Sequence, residues 1–343
     1  THGITITKTR MNRVNSSIIP PNIKQRLPPS FLKVMFIYVF GKTYWTAMTY
    51  QTTPRLFCFG LGYSASVLAR ALLSEGWRVA GTCRDNSTQK ALIAQGVDAY
   101  IFDGQSPLQN FNDVLVGTTH LLSSVPPVNS KDPILQIHGA QIAAMTSLQW
   151  TGYLSTTGVY GNQSGGWVDE TSPLEPTGDR GQRRVDAELA WLALRRDHAI
   201  PVHLFRLAGI YGPGRNQIDA VRNGTAKRID KLGQVFSRIH VDDIASVLKA
   251  SMARPNPGAA YNVCDDEAAP PQDVISYIAA QLGIEPPPVT AFDDANLSPM
   301  AQSFYRDNKR VSNKRIKEEL GVALEWPTYR EGIKGLLACG ASC

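Results

Sequence analysis

RLFCFGLGYSA, residues 55–65, reads as a buried strand, a glycine turn and the opening of a helix. In such a turn Gly60 permits the tight bend, Gly62 lets the backbone approach a pyrophosphate, and Ala65 keeps the helix close to the sheet. The helix N-terminus then offers free N–H donors to phosphate, with a dipole contribution of about 0.3–2 kcal/mol. A G-x-G-x-x-A pattern is weak by itself. Its position between an apolar run and a helical pattern is the one a dinucleotide site requires.

The same alternation continues outward. RLFCF (55–59), WRVAGTC (77–83), DAYIF (98–102), THLLSS (119–124), YLSTT (153–157) and PVHLFRLAG (201–209) read as strands. Between them SASVLARALLSEG (64–76), NSTQKALIAQG (86–96) and DPILQIHGAQIAAMTSL (132–148) carry apolar residues at three- and four-residue steps and read as helices. Strand, helix, strand implies right-handed crossovers and an α/β, doubly wound parallel sheet. Past residue 210 the pattern is mixed: a YGPGRN turn, IHVDDIASVLKASM as a helix, AAYNVC as a strand, PQDVISYIAAQLG as a helix, and NKRVSNKRIKEELG ending on a glycine stop. These pieces are too interleaved for a separate domain. The reading is one domain over 54–338, with a cofactor-binding core at about 54–210 and a small substrate lobe at about 211–338 over the carboxyl edge of the sheet.

Residues 1–53 stand apart. Seven of the 35 Lys and Arg lie within residues 1–54 (Lys8, Arg10, Arg13, Lys24, Arg26, Lys33 and Lys42), with no acid, so 28 basic residues face 29 acidic ones beyond. The net charge of +6 therefore belongs to the leader, and the near-neutral body carries no stripe for nucleic acid. The leader reads as an over-extended start with translation beginning at Met48, as an organelle transit peptide, or as a disordered segment of other purpose. Its apolar run FLKVMFIYVF is ten residues long and interrupted by Lys33, far short of the roughly 20 that span a bilayer. Five cysteines without CxxC spacing suit a reducing compartment, cytoplasmic or, with a transit peptide, stroma or matrix. Six scattered histidines make no metal motif.

GTCRD (81–85) ends the second strand, where an NAD site places a carboxylate on the ribose and an NADP site tolerates arginine. Thr82 and Arg84 are in place and Asp85 is one residue late, so NADP is preferred, unless Asp85 swings in and Arg84 stays solvated. Asp103 closes the third strand and either meets the adenine amine or caps the next turn. Ser124, in SSVPP (123–127), lies where the fourth strand meets the cofactor, although turn chemistry alone explains it as well.

GLGYSA, STTGVYG (155–161), DETSPLEPTG (169–178), FRLAGIYGPGRN (205–216) and HVDDIA (240–245) stand in the order and spacing of the extended short-chain dehydrogenase/reductase family. The chain resembles its atypical, YeeZ-like branch of NAD-dependent epimerase/dehydratases over residues 54–338. The resemblance implies a Rossmann domain with a small C-terminal substrate lobe, a possible homodimer, and catalysis by a Ser or Thr, a Tyr and a Lys four residues after it. It places the hydroxyl at Thr156. The alanine-glutamate pair Ala187-Glu188 sets the tyrosine position at Arg180 and the lysine position at Arg184.

A guanidinium has only donors and stays protonated, so Arg180 cannot replace a phenol as acid or base, while Arg184 could still hold a ribose. Tyr38–Lys42 and Tyr305–Lys309 repeat the four-residue spacing, but neither opens the helix after STTGVYG, and chance accounts for both. Tyr160 is the best-placed substitute phenol, although the family uses that tyrosine structurally. Arg206, on a buried strand, needs an anionic partner or a substrate group. His240 contacts substrate or satisfies a loop carbonyl. Arg180, Arg184, Arg206 and Arg215 could form a cationic mouth for an acidic or phosphorylated small-molecule substrate, or be solvated helix arginines. Two functions follow: an NADP-preferring oxidoreductase or epimerase-like enzyme, or a non-catalytic dinucleotide-binding sensor.

Overall fold

Every residue of β1 (Arg55–Phe59) is buried. Successive side chains leave opposite faces of a strand, so Leu56 and Cys58 enter one core while Phe57 and Phe59 enter another. A strand covered on both faces belongs to a parallel sheet flanked by helices on each side. The computed structural model describes residues 34–39, 42–47, 53–129 and 131–340.

β1 is followed by α1 (Tyr63–Ser74), β2 (Arg78–Cys83), α2 (Asn86–Ala94), β3 (Asp98–Ile101), β4 (His120–Ser123), α3 (Pro133–Ala143), β5 (Trp150–Thr156), α4 (Asp179–His198) and β6 (Val202–Leu207). α5 (Val241–Ala253) then leads to β7 (Ala260–Val263). These seven strands form one parallel sheet in the order β3-β2-β1-β4-β5-β6-β7. The strand order reverses between β1 and β4, which opens a crevice at their carboxyl ends, where α/β sheets bind ligands. The doubly wound α/β fold expected from the sequence is the fold observed.

Ala65, Leu68 and Leu72 of α1 share the first core with Ile244, Val247 and Leu248 of α5. Ile134 and Ile142 of α3 and Trp191 and Leu194 of α4 share the second with the β1 phenylalanines. Asp132 ties the second layer together: it caps α3 through the Ile134 and Leu135 amides and accepts from Trp191 Nε1 at 2.9 Å.

The lobe has a small core of its own, built from Ile218, Val221, Val274, Ile278, Tyr329 and Ile333. It centres on α6 (Pro271–Leu282) and also carries α7 (Pro299–Arg306) and α8 (Tyr329–Cys339). Two short parallel pairs stitch it down, Gly209–Tyr211 with Arg238–His240 and Trp167–Val168 with Arg310–Val311, and a third, Arg228–Asp230 with Val289–Ala291, lies within it. Residues 239–240, read from sequence as helix, are strand, and α5 starts at Val241. The Thr328/Glu331 capping box opens α8, which the sequence reading passed over.

The chain divides into two compact units, Thr1–Thr52 and Thr53–Cys343. Within the first, Val34–Val39 pairs antiparallel with Lys42–Ala47, so two strands rich in β-branched and aromatic residues stand in part of the expected disordered leader. Residues 1–33 and the proposed start at Met48 lie outside the described residues. Among the described residues no helix is long and apolar enough to cross a membrane, and no cluster of three or more His, Cys, Asp or Glu could hold a metal ion.

Candidate functional site

The glycine turn is held from below by β2. Gly60 adopts φ +84°, its N–H donates to Thr82 Oγ1 at 2.9 Å, and the Leu61 N–H donates to the Thr82 carbonyl at 2.7 Å. Thr82 is buried, so it braces the turn instead of reaching a ligand as the sequence reading had it. A Cβ on Gly62 would meet nothing within 4 Å, leaving room for a close-approaching group. α1 starts at this glycine with no side-chain cap and no acid in its first turn, and its first helical bond is Ser66 N–H to the Gly62 carbonyl at 2.9 Å. The Gly62 amide donates to the Gly60 carbonyl, while the Tyr63, Ser64 and Ala65 amides have no partner among the described residues, which suits the pyrophosphate of a dinucleotide. Buried Ala65 keeps that helix start against the sheet.

At the end of β2, Arg84 is exposed and has no hydrogen bond or ion pair among the described residues. Asp85 caps α2. Its carboxylate accepts from the Thr88 N–H, the Ser87 hydroxyl and the Thr88 hydroxyl, bonds that hold it down to about 2. Asp103 likewise accepts from the Gln105 and Ser106 amides, which turns it toward its own loop. The Ser124 hydroxyl donates to the Gly60 carbonyl, so β4 closes the turn from the other side.

Beside the turn opens a cavity of ≈ 1150 Å³, whose wall includes Gly62, Ser124, Thr156, Arg180, Arg184 and Arg215. Thr156 ends β5, and its Oγ1 accepts from the Gly158 N–H at 3.1 Å. Arg184 donates to the Leu154 carbonyl at 2.8 Å and the Tyr153 hydroxyl at 3.2 Å, an anchorage on β5 that points its charge along the wall. Arg180 sits in the first turn of α4, its guanidinium 5.5 Å from the Phe304 ring centre. Gly181 lies so close that a Cβ would come 2.6 Å from Pro176 Cβ and 2.9 Å from the Gly158 carbonyl oxygen. Arg215 stacks over Tyr63, in the first turn of α1, at 5.7 Å.

Gly60, Thr82, Arg84 and Asp103, expected at the cofactor, are not on this wall, nor are three of the expected catalytic and substrate residues. Tyr160 is wholly buried, its hydroxyl donating to Asn262 Oδ1 at 2.7 Å and accepting from Arg206 at 2.9 Å. Burial pushes that phenol up to about 12, so it is no substitute acid. Arg206 finds its anion in the protein, pairing with Glu188 at 2.8 Å, and does not face substrate. His240 is 2% exposed, and its ring lies 5.1 Å from Tyr211 and 5.2 Å from Trp326. Its Nδ1 accepts from the Asp242 N–H at 3.3 Å, capping α5, and burial lowers its basicity.

The cavity also holds Asp307, which sequence reasoning passed over, and Tyr305 and Lys309, whose spacing it set down to chance. Asp307 bonds the Thr177 hydroxyl, and Lys309 Nζ donates to the Gly161 carbonyl at 2.8 Å and to Asp307 at 3.3 Å. Tyr305 and Lys309 both line the wall and share no hydrogen bond among the described residues; the Tyr305 ring lies between Phe236 and Phe292 at 5.4 and 5.1 Å. Lys309 was legible only as half of that spacing. What brings it here is the pairing of Arg310–Val311 with Trp167–Val168.

The chain is 28% identical over 284 residues to Protein YeeZ of Escherichia coli (strain K12), covering 78% of this chain and 94% of that protein. It is 54% identical, with a TM-score of 0.78, to the solved structure of a functionally unknown conserved protein from Silicibacter pomeroyi DSS, covering 83% of this chain and 99% of that one. A dTDP-glucose 4,6-dehydratase from Bacillus anthracis str. Ames, solved in complex with NAD, shares the fold at 15% identity and a TM-score of 0.67, covering 83% and 96%. The model of the NAD dependent epimerase/dehydratase family matches residues 60–264, from the glycine turn to the end of β7, and the chain belongs to that family.

Proposed function

We propose that this protein is a dinucleotide-dependent oxidoreductase of the epimerase/dehydratase type that prefers NADP and works without the usual tyrosine–lysine pair. The observation that carries the preference is the division of labour at the end of β2. Asp85 is engaged in capping α2, which leaves no carboxylate for a ribose 2′-hydroxyl, while Arg84 stands exposed beside it. The amides at the head of α1 would hold the pyrophosphate, Arg215 over Tyr63 would add charge there, and Arg184 on the α4 wall would take the nicotinamide ribose.

The substrate is a small anionic molecule. Arg180 and Arg184 both face the cavity, and its wall is wide enough for a substrate beside the cofactor. Loss of Arg206 from that set weakens the cationic mouth without removing it.

Arg180 at the position of the catalytic phenol favours a second reading, a dinucleotide-binding sensor without turnover. Fluorescence titration with NADPH and NADH, alongside Arg84→Ala, separates the possibilities. The expected result is tighter NADPH binding that the variant loses by roughly 10- to 150-fold, the worth of one charge-assisted bond. Equal affinity for both nucleotides in the parent would overturn the preference. Binding with no NADPH oxidation across a panel of aldehydes and ketones would favour the sensor.

A further inference from the structure

α4 contributes only guanidinium groups to the cavity at the two positions that matter, and Tyr160 is sealed away from it. A reduction at a carbonyl still needs a proton at the oxygen. The wall opposite supplies one ionisable amine. Lys309 is 9% exposed, on the cavity lining, with Nζ bound to the Gly161 carbonyl and the Asp307 carboxylate. An ammonium has three N–H bonds, so one remains without a partner among the described residues. Gly161 directly follows the turn that Thr156 caps, and Thr156, Arg180 and Lys309 all line the same cavity.

We propose that the Lys309 amine is the group that exchanges a proton with a substrate oxygen in this cavity. The inference rests on the oxidoreductase reading. In a reduction the carbonyl carbon receives hydride from the reduced dinucleotide while its oxygen takes a proton from the Lys309 ammonium. The resulting amine regains its proton from solvent, and oxidation runs the same steps backward. A lysine suits this task when burial brings its proton affinity toward neutrality. Burial does lower it here, opposed by Asp307. The other charges on the wall are Asp179, Arg180, Arg183 and Arg184 on α4, and Arg215, Arg238 and Arg306 from the lobe side. Six of these seven are cations, and like charges disfavour a further positive charge. Asp307 has a positioning role. Fixed by Thr177, it holds the amine on the wall and keeps it from losing its proton too early.

The test needs neither nucleotide nor substrate. Acetylation of the full chain by acetic anhydride, followed lysine by lysine through peptide mass spectrometry across the pH range, reports the midpoint of each amine. The expected result is a Lys309 midpoint below the ordinary lysine value of roughly 10.4, hence more neutral amine at pH 7 than at surface lysines. Asp307→Asn should move it lower still. A midpoint at the ordinary value would overturn the proposal, as would a Lys309 that acetylates only after unfolding or a midpoint unmoved in Asp307→Asn. Lys309→Met, checked for fold by circular dichroism and for NADPH binding, identifies the peptide signal. A low midpoint in a protein that binds no nucleotide would remove the oxidoreductase reading and leave a reactive amine in the cavity.

Discussion

The Arg206 guanidinium meets the Glu188 carboxylate at 2.8 Å, with their side chains 7% and 2% exposed. Glu188 also accepts from the Ser155 hydroxyl at 2.6 Å, and Arg206 donates to Tyr160, so α4, β5 and β6 are clamped just behind the cavity wall. Removing one partner of such a pair leaves a buried charge uncompensated, typically costing about 3–5 kcal/mol. Arg206→Met is therefore expected to lower stability by that order in urea unfolding. Arg206→Met/Glu188→Leu should recover much of it, because the pair's own net contribution is small. A single variant as stable as the parent would contradict the buried pairing.

Gly62 and Gly81 carry opposite expectations. A Cβ at Gly62 meets open space, and the residue has φ −88°, so Gly62→Ala should change unfolding free energy by no more than about 0.5 kcal/mol while weakening NADPH binding. A Cβ at Gly81 would overlap the Cys58 carbonyl oxygen and the Leu61 side chain, so Gly81→Ala should destabilise by about 1–3 kcal/mol. Thermal unfolding and nucleotide titration of both variants read the contrast.

Asp85 links stability to acid. Hydrogen bonds from Ser87 and Thr88 depress its folded-state pKa to about 2, below the unfolded value of roughly 3.9. The stabilisation is thus fully present above about pH 4–5 and lost as pH falls through the folded value. Asp85→Ala should be less stable than the parent at neutral pH, and the difference should shrink toward about pH 2. Urea unfolding at several pH values measures it. A constant difference would show that the carboxylate charge contributes nothing to the cap.

Thiol labelling should sort the cysteines by burial. Cys58, Cys83 and Cys264 are buried and Cys339 is exposed. Burial also raises the Cys58 and Cys264 thiols far above the usual range, which suppresses the reactive thiolate. Of these four, iodoacetamide should modify Cys339 alone in the native protein, as read by peptide mapping. Labelling of Cys58 without unfolding would mean that the core between α1 and the sheet opens.

The parallel sheet and its glycine turn were legible in residues 55–65 because local patterns and global packing ask for the same residues there. A fully buried strand must be continuously apolar, and a turn at φ +84° favours glycine wherever the chain goes next. Side-chain partnership is a different kind of fact. That Arg206 answers Glu188, that Asp85 faces its own helix, and that His240 caps α5 all depend on rotamers and on neighbours up to 18 residues away. Tyr160 is near Thr156 in the chain yet sealed behind it, since the turn carries it into the first core. Lys309 is 148 residues from Gly161 and touches it only because two short strands pair. By itself the sequence determined the fold, since backbone periodicity and steric demand are written locally. Which charged groups reach the cavity was decided by the tertiary structure alone, because a buried charge settles on whichever partner the packing delivers.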